Sequence, residues 1–149
     1  MILGKFFAIM FLLLLGLSVS LLYLYLISNV LLPNQHIDYG VYIGSLVGLI
    51  LLSMALAAIS LWASTLVDSP FSAFLIAVFV SVFHFYGWQQ LALLFSDFNS
   101  YTFIKSISLQ HHYAELNKGV LRLSNMLYFF LQTAFFVYWT YLNLEKRSR

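Results

Sequence analysis

Residues 39–67 read YGVYIGSLVGLILLSMALAAISLWASTLV and decide the class of fold, because this stretch contains no Asp, Glu, Lys or Arg. A helix of about 20 apolar residues crosses a hydrocarbon core of about 30 Å, so the stretch is long enough for one membrane span. Gly40, Gly44 and Gly48 recur at every fourth residue and therefore share one helix face. This spacing predicts close approach of another backbone, with the partner left open between this chain and another.

Three further stretches are long and free of charged residues. The first extends from Phe6 to Ile37. The next follows Pro70, whose missing N–H suits the first turn of a helix. The last begins near Ser124 or Asn125, either of which offers a side-chain N-cap. We therefore predict four spans, over about residues 6–32, 41–66, 71–94 and 126–144.

The composition excludes most other classes of protein. Hydrophobic residues make up 62% of the 149 residues and charged residues 8%, against roughly 25% charged residues in a typical soluble domain. The absence of cysteine excludes disulfides and thiolate metal sites, and a net charge of +2 is too small to indicate a nucleic-acid partner. The sequence predicts a single all-α domain over residues 1–149, a polytopic helical bundle whose main surroundings are the lipid bilayer.

The segment between the last two spans, about residues 97–124, has a different character. It carries several charged side chains, and Phe98, Tyr101 and Ile104 recur at every third residue. This pattern predicts an amphipathic helix at the membrane interface or dipping partway into it, with Gly119 as a break between two short helices. A plain amphipathic loop is the alternative interpretation.

Four spans place both chain ends on one side of the membrane. Four of the seven Lys and Arg residues lie near those ends, and Lys105, Lys118 and Arg122 lie on the opposite side. The positive-inside rule then favours cytoplasmic termini in a bacterial inner membrane.

The predicted spans contain little chemistry. None has a formal charge in its interior, which argues against a self-sufficient ion-coupled carrier. His84 is the ionisable group deep in a span, and we interpret it as a neutral imidazole bonded to a neighbouring helix, with a haem ligand or proton relay as the alternative. A phosphate-binding GxxxxGK[ST] loop is absent from the sequence. We expect no enzymatic activity, no catalytic or metal site and no cofactor.

Three stretches, in order, resemble permease subunits of type-2 ABC transporters, in particular the gliding-motility-associated permease (the GldF type). The stretch ILGKFFAIMFLLLL resembles the start of that family's third span. The stretch IGSLVGLILLSMALAAISLWASTLVDSPFSAF resembles the next pair of spans and the turn between them. HHYAELNKGVLRLSNMLYFFLQ resembles the segment before the last span. Together they cover nearly the whole chain, which begins where the family's third span begins and lacks a counterpart of its first two spans.

The resemblance implies six spans per permease, a second permease copy or paralogue, and separate ATP-binding subunits on the cytoplasmic side. It implies that His112, Tyr113, Lys118 and Gly119 belong to a helical hairpin facing the outside, just before the last span. The chain departs from the family at Ser69-Pro70, where the family usually has Asn-Gln.

The function expected from this resemblance is the transmembrane permease component of an ATP-driven, export-type ABC transporter, a multi-pass protein of the cell membrane. The alternative is a four-span scaffold or interaction protein without transport activity. A small redox carrier that uses His84 ranks third.

Overall fold

A computed structural model describes residues 2–30, 38–94 and 97–148, and over these ranges the chain forms helices and no strands, as the sequence predicts. The end of the predicted first span, residues 31–32, lies outside the described residues. The helices are α1 (Ile2–Val30), α2 (Tyr39–Ser64), α3 (Pro70–Val82), α4 (Trp88–Ala92), α5 (Phe98–Ser106), α6 (Leu109–Leu116) and α7 (Leu123–Ser148). A π-helical turn, Phe83–Gly87, joins α3 to α4.

Three helical stretches are long and apolar enough to cross a membrane: Ile2–Ile27, Tyr39–Ser64 and Pro70–Ala92. The chain is therefore consistent with a multi-pass membrane protein. The predicted fourth span, 126–144, lies within α7 and is not one of these three. The Asn, Gln, Thr and Tyr side chains and the charged C-terminal residues of α7 make this helix less apolar than α1, α2 and α3.

Helix α2 is the centre of the bundle and contacts α1, α3, α6 and α7. It is parallel to α7, because Ala55 shares a buried cluster with Phe129 and the Asn143 side-chain amide donates to Thr65 Oγ1 over 3.3 Å beyond the end of α2. Helices α2 and α7 therefore cover the same depth of the bundle.

Helix α1 is antiparallel to α2. Phe6, near the start of α1, packs in a cluster with Leu61 near the end of α2. Farther along, the Tyr42 hydroxyl donates to the Ser20 carbonyl over 3.2 Å. The described ends of the chain consequently lie at one end of the bundle, and the start of α2 lies at the other.

Residues typical of helix N-termini lie at the starts of α2, α3 and α5. The Asp38 carboxylate accepts from the Gly40 and Val41 amides at 3.0 and 3.2 Å and so caps α2. Pro70 occupies the first turn of α3, as predicted. The Asp97 carboxylate accepts from the Ser100 amide over 3.1 Å and caps α5.

The segment between the third predicted span and α7 contains two short helices, but their break is not at Gly119. The break falls at Ile107–Ser108, where Ser108 adopts an extended backbone before α6. Gly119 follows α6 instead. Of the predicted apolar face of α5, Phe98 is 77% exposed, so most of the burial in this segment comes from α6, whose Leu109 and Leu116 are fully buried.

Candidate functional site

Helix α6 and the turn after it lie directly against the glycine face of α2. A Cβ atom added at Gly44 would be 2.7 Å from both the Gly119 Cα and the Leu116 carbonyl oxygen. One added at Gly48 would be 3.2 Å from the Leu116 Cβ and 3.4 Å from the Tyr113 ring. At Gly44 only glycine fits without displacement of the partner backbone, whereas the atoms facing Gly48 belong to side chains. We call these five residues the α6 seat.

Glycine is required at position 119 by the backbone conformation there as well as by the close contact with α2. Its φ is +80°, in the left-handed region that disfavours side chains. A Cβ atom there would also lie 3.1 Å from the Val41 Cα and 3.2 Å from the Gly40 carbonyl carbon. The turn that ends α6 is thus shaped to pass over the first turn of α2.

The structure brings together most of the residues that the sequence singled out. Gly40, Gly44 and Gly48 face Tyr113 and Gly119 of the same chain. This contact identifies the partner of the glycine face, which the sequence left open.

Lys118 lies apart from this contact. Its ammonium pairs with Glu115 over 3.1 Å, and Arg122 approaches the same carboxylate at 3.8 Å. The Lys118 hydrogen bond and charge lower the pKa of Glu115 from its ordinary value.

His112 connects the three helices α5, α6 and α7. Its Nε2 lies 2.8 Å from the Ser106 carbonyl oxygen and its Nδ1 lies 2.9 Å from the Asn125 side-chain oxygen. The ring stacks on Tyr128 with 4.0 Å between centroids, and the Tyr128 hydroxyl donates to the Ile107 carbonyl. These contacts hold the end of α5 and the start of α7 against α6.

Asn125 has a different role from the predicted one. Helix α7 begins at Leu123, so both Ser124 and Asn125 lie in its first turn rather than at its N-cap. The Asn125 backbone N–H donates to the Arg122 carbonyl over 3.0 Å, while its side chain, 6% exposed, bonds His112. A neutral His112 that donates through Nε2 requires the Asn125 amide group to point its nitrogen at Nδ1.

His84 projects from the π-helical turn towards α7. The Trp88 indole N–H donates to His84 Nδ1 over 2.9 Å, and Nε2 contacts the Gln132 side-chain amide. Because Nδ1 accepts a hydrogen bond, a neutral ring carries its proton on Nε2, which requires the Gln132 amide group to point its oxygen rather than its nitrogen at Nε2. This is the neutral imidazole bonded to a neighbouring helix that we predicted, and both ring nitrogens have partners.

Ser108 joins α6 to the π-helical turn and was missed by the sequence reasoning. Its hydroxyl donates to the Phe85 carbonyl over 3.1 Å, and the side chain is fully buried. A π-helical turn rearranges the regular helical hydrogen bonds, and such turns occur frequently at functional sites. The one available signal was an isolated Ser between two amphipathic helices, and it gave no indication of the partner.

The charged groups around α6 are mainly cationic. Burial lowers the pKa of His111 from its ordinary value, and the nearby His112 and Lys105 lower it further. Within the part of the chain that the structure describes, no cluster of three or more His, Cys, Asp or Glu side chains could hold a metal ion.

The site is therefore a set of packing and hydrogen-bonding contacts that fix the α5–α6 segment across one end of the bundle. Comparison with known proteins adds no relative: no family model matches the chain, and no curated protein or solved structure shows significant similarity to it.

Proposed function

We propose that this chain is the membrane-spanning permease component of an ATP-driven, export-type ABC transporter, with ATP hydrolysed on a separate subunit. The sequence resemblance to the gliding-motility-associated permeases of the type-2 class motivates the proposal. Its other components are a second permease copy or paralogue and an ATP-binding subunit on the cytoplasmic side.

The observation that carries the proposal is the α6 seat. The α5–α6 segment includes the stretch that resembles the family's outward-facing hairpin, with His112 and Tyr113 in it. That segment lies across one end of the bundle, between the start of α2 and the start of α7. A segment held there by Gly44 and Gly119 would close the outer end of a path between the helices.

The proposal treats α7 as a fourth span. Helix α7 runs parallel to α2 over the same depth, from the cluster that contains Phe129 to the Asn143–Thr65 hydrogen bond. Its residues 123–144 contain no Asp, Glu, Lys or Arg. Successive spans alternate in direction, so a fourth span parallel to α2 is compatible with the order α1, α2, α3, α7. The α5–α6 segment is then a hairpin between the third and fourth spans.

Charge supports an orientation with both termini in the cytoplasm. At the end of the bundle that contains α6, Lys118 and Arg122 share Glu115 as an ion-pair partner. By sequence, four of the seven Lys and Arg residues lie near the chain ends, and the other three, Lys105, Lys118 and Arg122, lie in and after the α5–α6 segment. The positive-inside rule, which counts Lys and Arg, favours the end of the bundle with the larger number as the cytoplasmic one.

Transport in this scheme depends on two states of the bundle that differ in the contacts of α6. ATP binding on the partner subunit shifts the balance between the states only if it favours one of them. The uncharged span interiors fit an apolar, lipid-like or polypeptide cargo better than a small ion.

Co-purification tests the proposal. The tagged chain is extracted from its native membranes in mild detergent, with an unrelated tagged membrane protein as the control. We expect an ATP-binding subunit to accompany the chain in fixed proportion. A folded chain that repeatedly lacks such a subunit would contradict the permease function and favour the four-span scaffold.

The orientation has a separate test, which the cysteine-free sequence makes simple. Ser69→Cys and Lys118→Cys each introduce one thiol at an exposed position, at opposite ends of the bundle. In intact cells, a membrane-impermeant maleimide should label only Lys118→Cys. Labelling of both thiols, or of Ser69→Cys alone, would contradict the proposed topology.

A further inference from the structure

An apolar groove runs between the start of α1 and the second half of α7. Its volume is about 550 Å³, and its lining includes Phe6, Phe7, Ala134, Val137 and Tyr141. This volume lies in the range of about 300–1,000 Å³ that is typical of ligand sites. The lining is almost entirely apolar, so a ligand there must be apolar along its whole length.

The α7 wall of the groove is about as long as one leaflet of a bilayer is thick, and the α1 wall, from Ile2 to Phe7, is shorter. Its lining extends along α7 from Phe130 to Tyr141, which corresponds to about 16 Å of helix. Half of a hydrocarbon core of about 30 Å is nearly the same length. A transmembrane helix of a partner protein would need a complementary face over the whole thickness, so the groove fits a hydrocarbon chain better.

The size of the lining side chains leads to the same conclusion. Helices that associate in membranes approach through Gly, Ala, Ser and Thr, as α2 does at Gly44 and Gly48. The groove is instead walled mostly by large side chains, with Phe6, Phe7 and Tyr138 among them. Large side chains keep α1 and α7 apart and leave a gap of a size and shape suited to a flexible chain.

One end of the groove also has features that favour an anionic lipid headgroup. The tyrosines Tyr138 and Tyr141 mark the end of the groove nearest the chain termini, where tyrosine is favoured at headgroup level. By sequence, four of the seven Lys and Arg residues lie near the chain ends, as described above. Positive charge at the cytoplasmic surface attracts anionic lipid headgroups.

We propose that this groove binds one acyl chain of an anionic phospholipid from the leaflet at the end of the bundle where the chain termini lie. The inference rests on the four-span arrangement of the proposed function. It does not depend on an ATP-binding partner, because the groove is formed by α1 and α7 alone.

Photo-crosslinking of the purified chain in liposomes tests the proposal. The probe is phosphatidylglycerol with a diazirine in its acyl chain, diluted into phosphatidylcholine, and adducts are mapped by mass spectrometry. We expect adducts on Phe7 and Val137 to exceed those on Leu131 several-fold, although Leu131 is 70% exposed. Uniform labelling of all exposed apolar residues would overturn the proposal, because it indicates general contact with bulk lipid.

Two variants provide a second measurement. Ala134→Trp places a large side chain in the groove and should reduce the labelling of Phe7 several-fold, whereas Leu131→Trp, on the same helix outside the groove, should not. Val137→Trp replaces Ala134→Trp if that variant does not fold. Unchanged labelling in the groove-filling variant would contradict the site.

These measurements test the preference for an anionic headgroup separately from the proposed permease function. A phosphatidylcholine probe that labels the groove as strongly as phosphatidylglycerol would overturn the preference for an anionic lipid. Specific labelling without a co-purifying ATP-binding subunit would leave the lipid site intact and contradict only the permease function. Labelling of Phe7 from the opposite leaflet alone would contradict the topology on which the site rests.

Discussion

Helices α1 and α6 show two different ways in which a helix packs against α2. Helix α6 touches the α2 backbone through Gly44 and buries Leu116 completely. Helix α1 is much longer, yet its most apolar window has no buried residue. Among the described residues, its contacts with α2 include the packing of Phe6 against the end of α2 and the Ser20–Tyr42 hydrogen bond.

The difference shows that glycine allows close packing but does not cause it. Gly4 and Gly16 of α1 have no atom within 4 Å of an added Cβ. Gly44 and Gly48 lie one helical turn apart on α2. They face α6 and the turn that follows it, which contains a glycine of its own, Gly119. Small residues favour close approach in a membrane when the partner offers a surface that fits them, because lipid competes equally well for large apolar side chains.

The largest effect is expected from Gly44→Leu. The added Cβ would overlap the Gly119 and Leu116 backbone atoms, which cannot move without breaking the turn after α6. Overpacking usually costs about 1–3 kcal/mol and occasionally more, and we expect the upper end or beyond. Thermal unfolding in detergent and the fraction of monodisperse protein on gel filtration measure the loss.

Gly16→Leu is the matched control, because it makes the same change where nothing lies within 4 Å. Its thermal stability should equal or slightly exceed that of the parent, since leucine has the higher helix propensity. Equal melting temperatures for the two variants would show that the α6 seat is not a close contact.

Gly119→Ala should have the next largest effect. A residue with φ near +80° pays a conformational penalty of about 1–2 kcal/mol when it carries a Cβ. The contact with the Val41 Cα at 3.1 Å adds to this penalty. Gly4→Ala in α1 is the control and should not lower the melting temperature; a Gly119→Ala protein as stable as this control would contradict the role of the turn.

The His112–Asn125 contact is expected to contribute less. Alanine substitutions at each residue and at both give a double-mutant cycle, and we expect a coupling of about 1 kcal/mol, the usual size of one hydrogen bond. Unfolding of the four proteins by a denaturing detergent supplies the free energies. Additive effects of the two substitutions would show that the contact does not hold α7 against α6.

The smallest effect is a dependence on pH at His111. Its folded pKa is lowered, so the unfolded chain binds more protons below about pH 6.5, and stability is lost as the pH falls through this range. His111→Gln should weaken that loss, as measured by melting temperatures between pH 8 and pH 5.5. At pH 8 the melting temperatures of both proteins should be insensitive to small changes in pH. An unchanged pH dependence in the variant would assign the loss of stability to other groups.

Much of the local structure was predictable because it depends on neighbouring residues. Asp38 begins α2 and Pro70 begins α3 through contacts within one helical turn. Asn125 was misplaced for the same reason: its sequence neighbours favour an N-cap, but its actual partner is His112. The break in the α5–α6 segment was likewise assigned to Gly119 by local preference, whereas Ser108 occupies it and bonds the distant Phe85 carbonyl.

The sequence by itself determined that this chain is helical, with stretches long and apolar enough to cross a membrane, because a continuous uncharged run such as residues 39–67 is typical of a membrane span. It also located the glycine face of α2 and predicted a neutral His84. Only the tertiary structure decided what each of these features contacts. Ser45 bonds Asn117 across 72 positions of sequence, and a partner so distant leaves no periodic trace in the sequence, since it is selected by the shape and depth of the whole bundle.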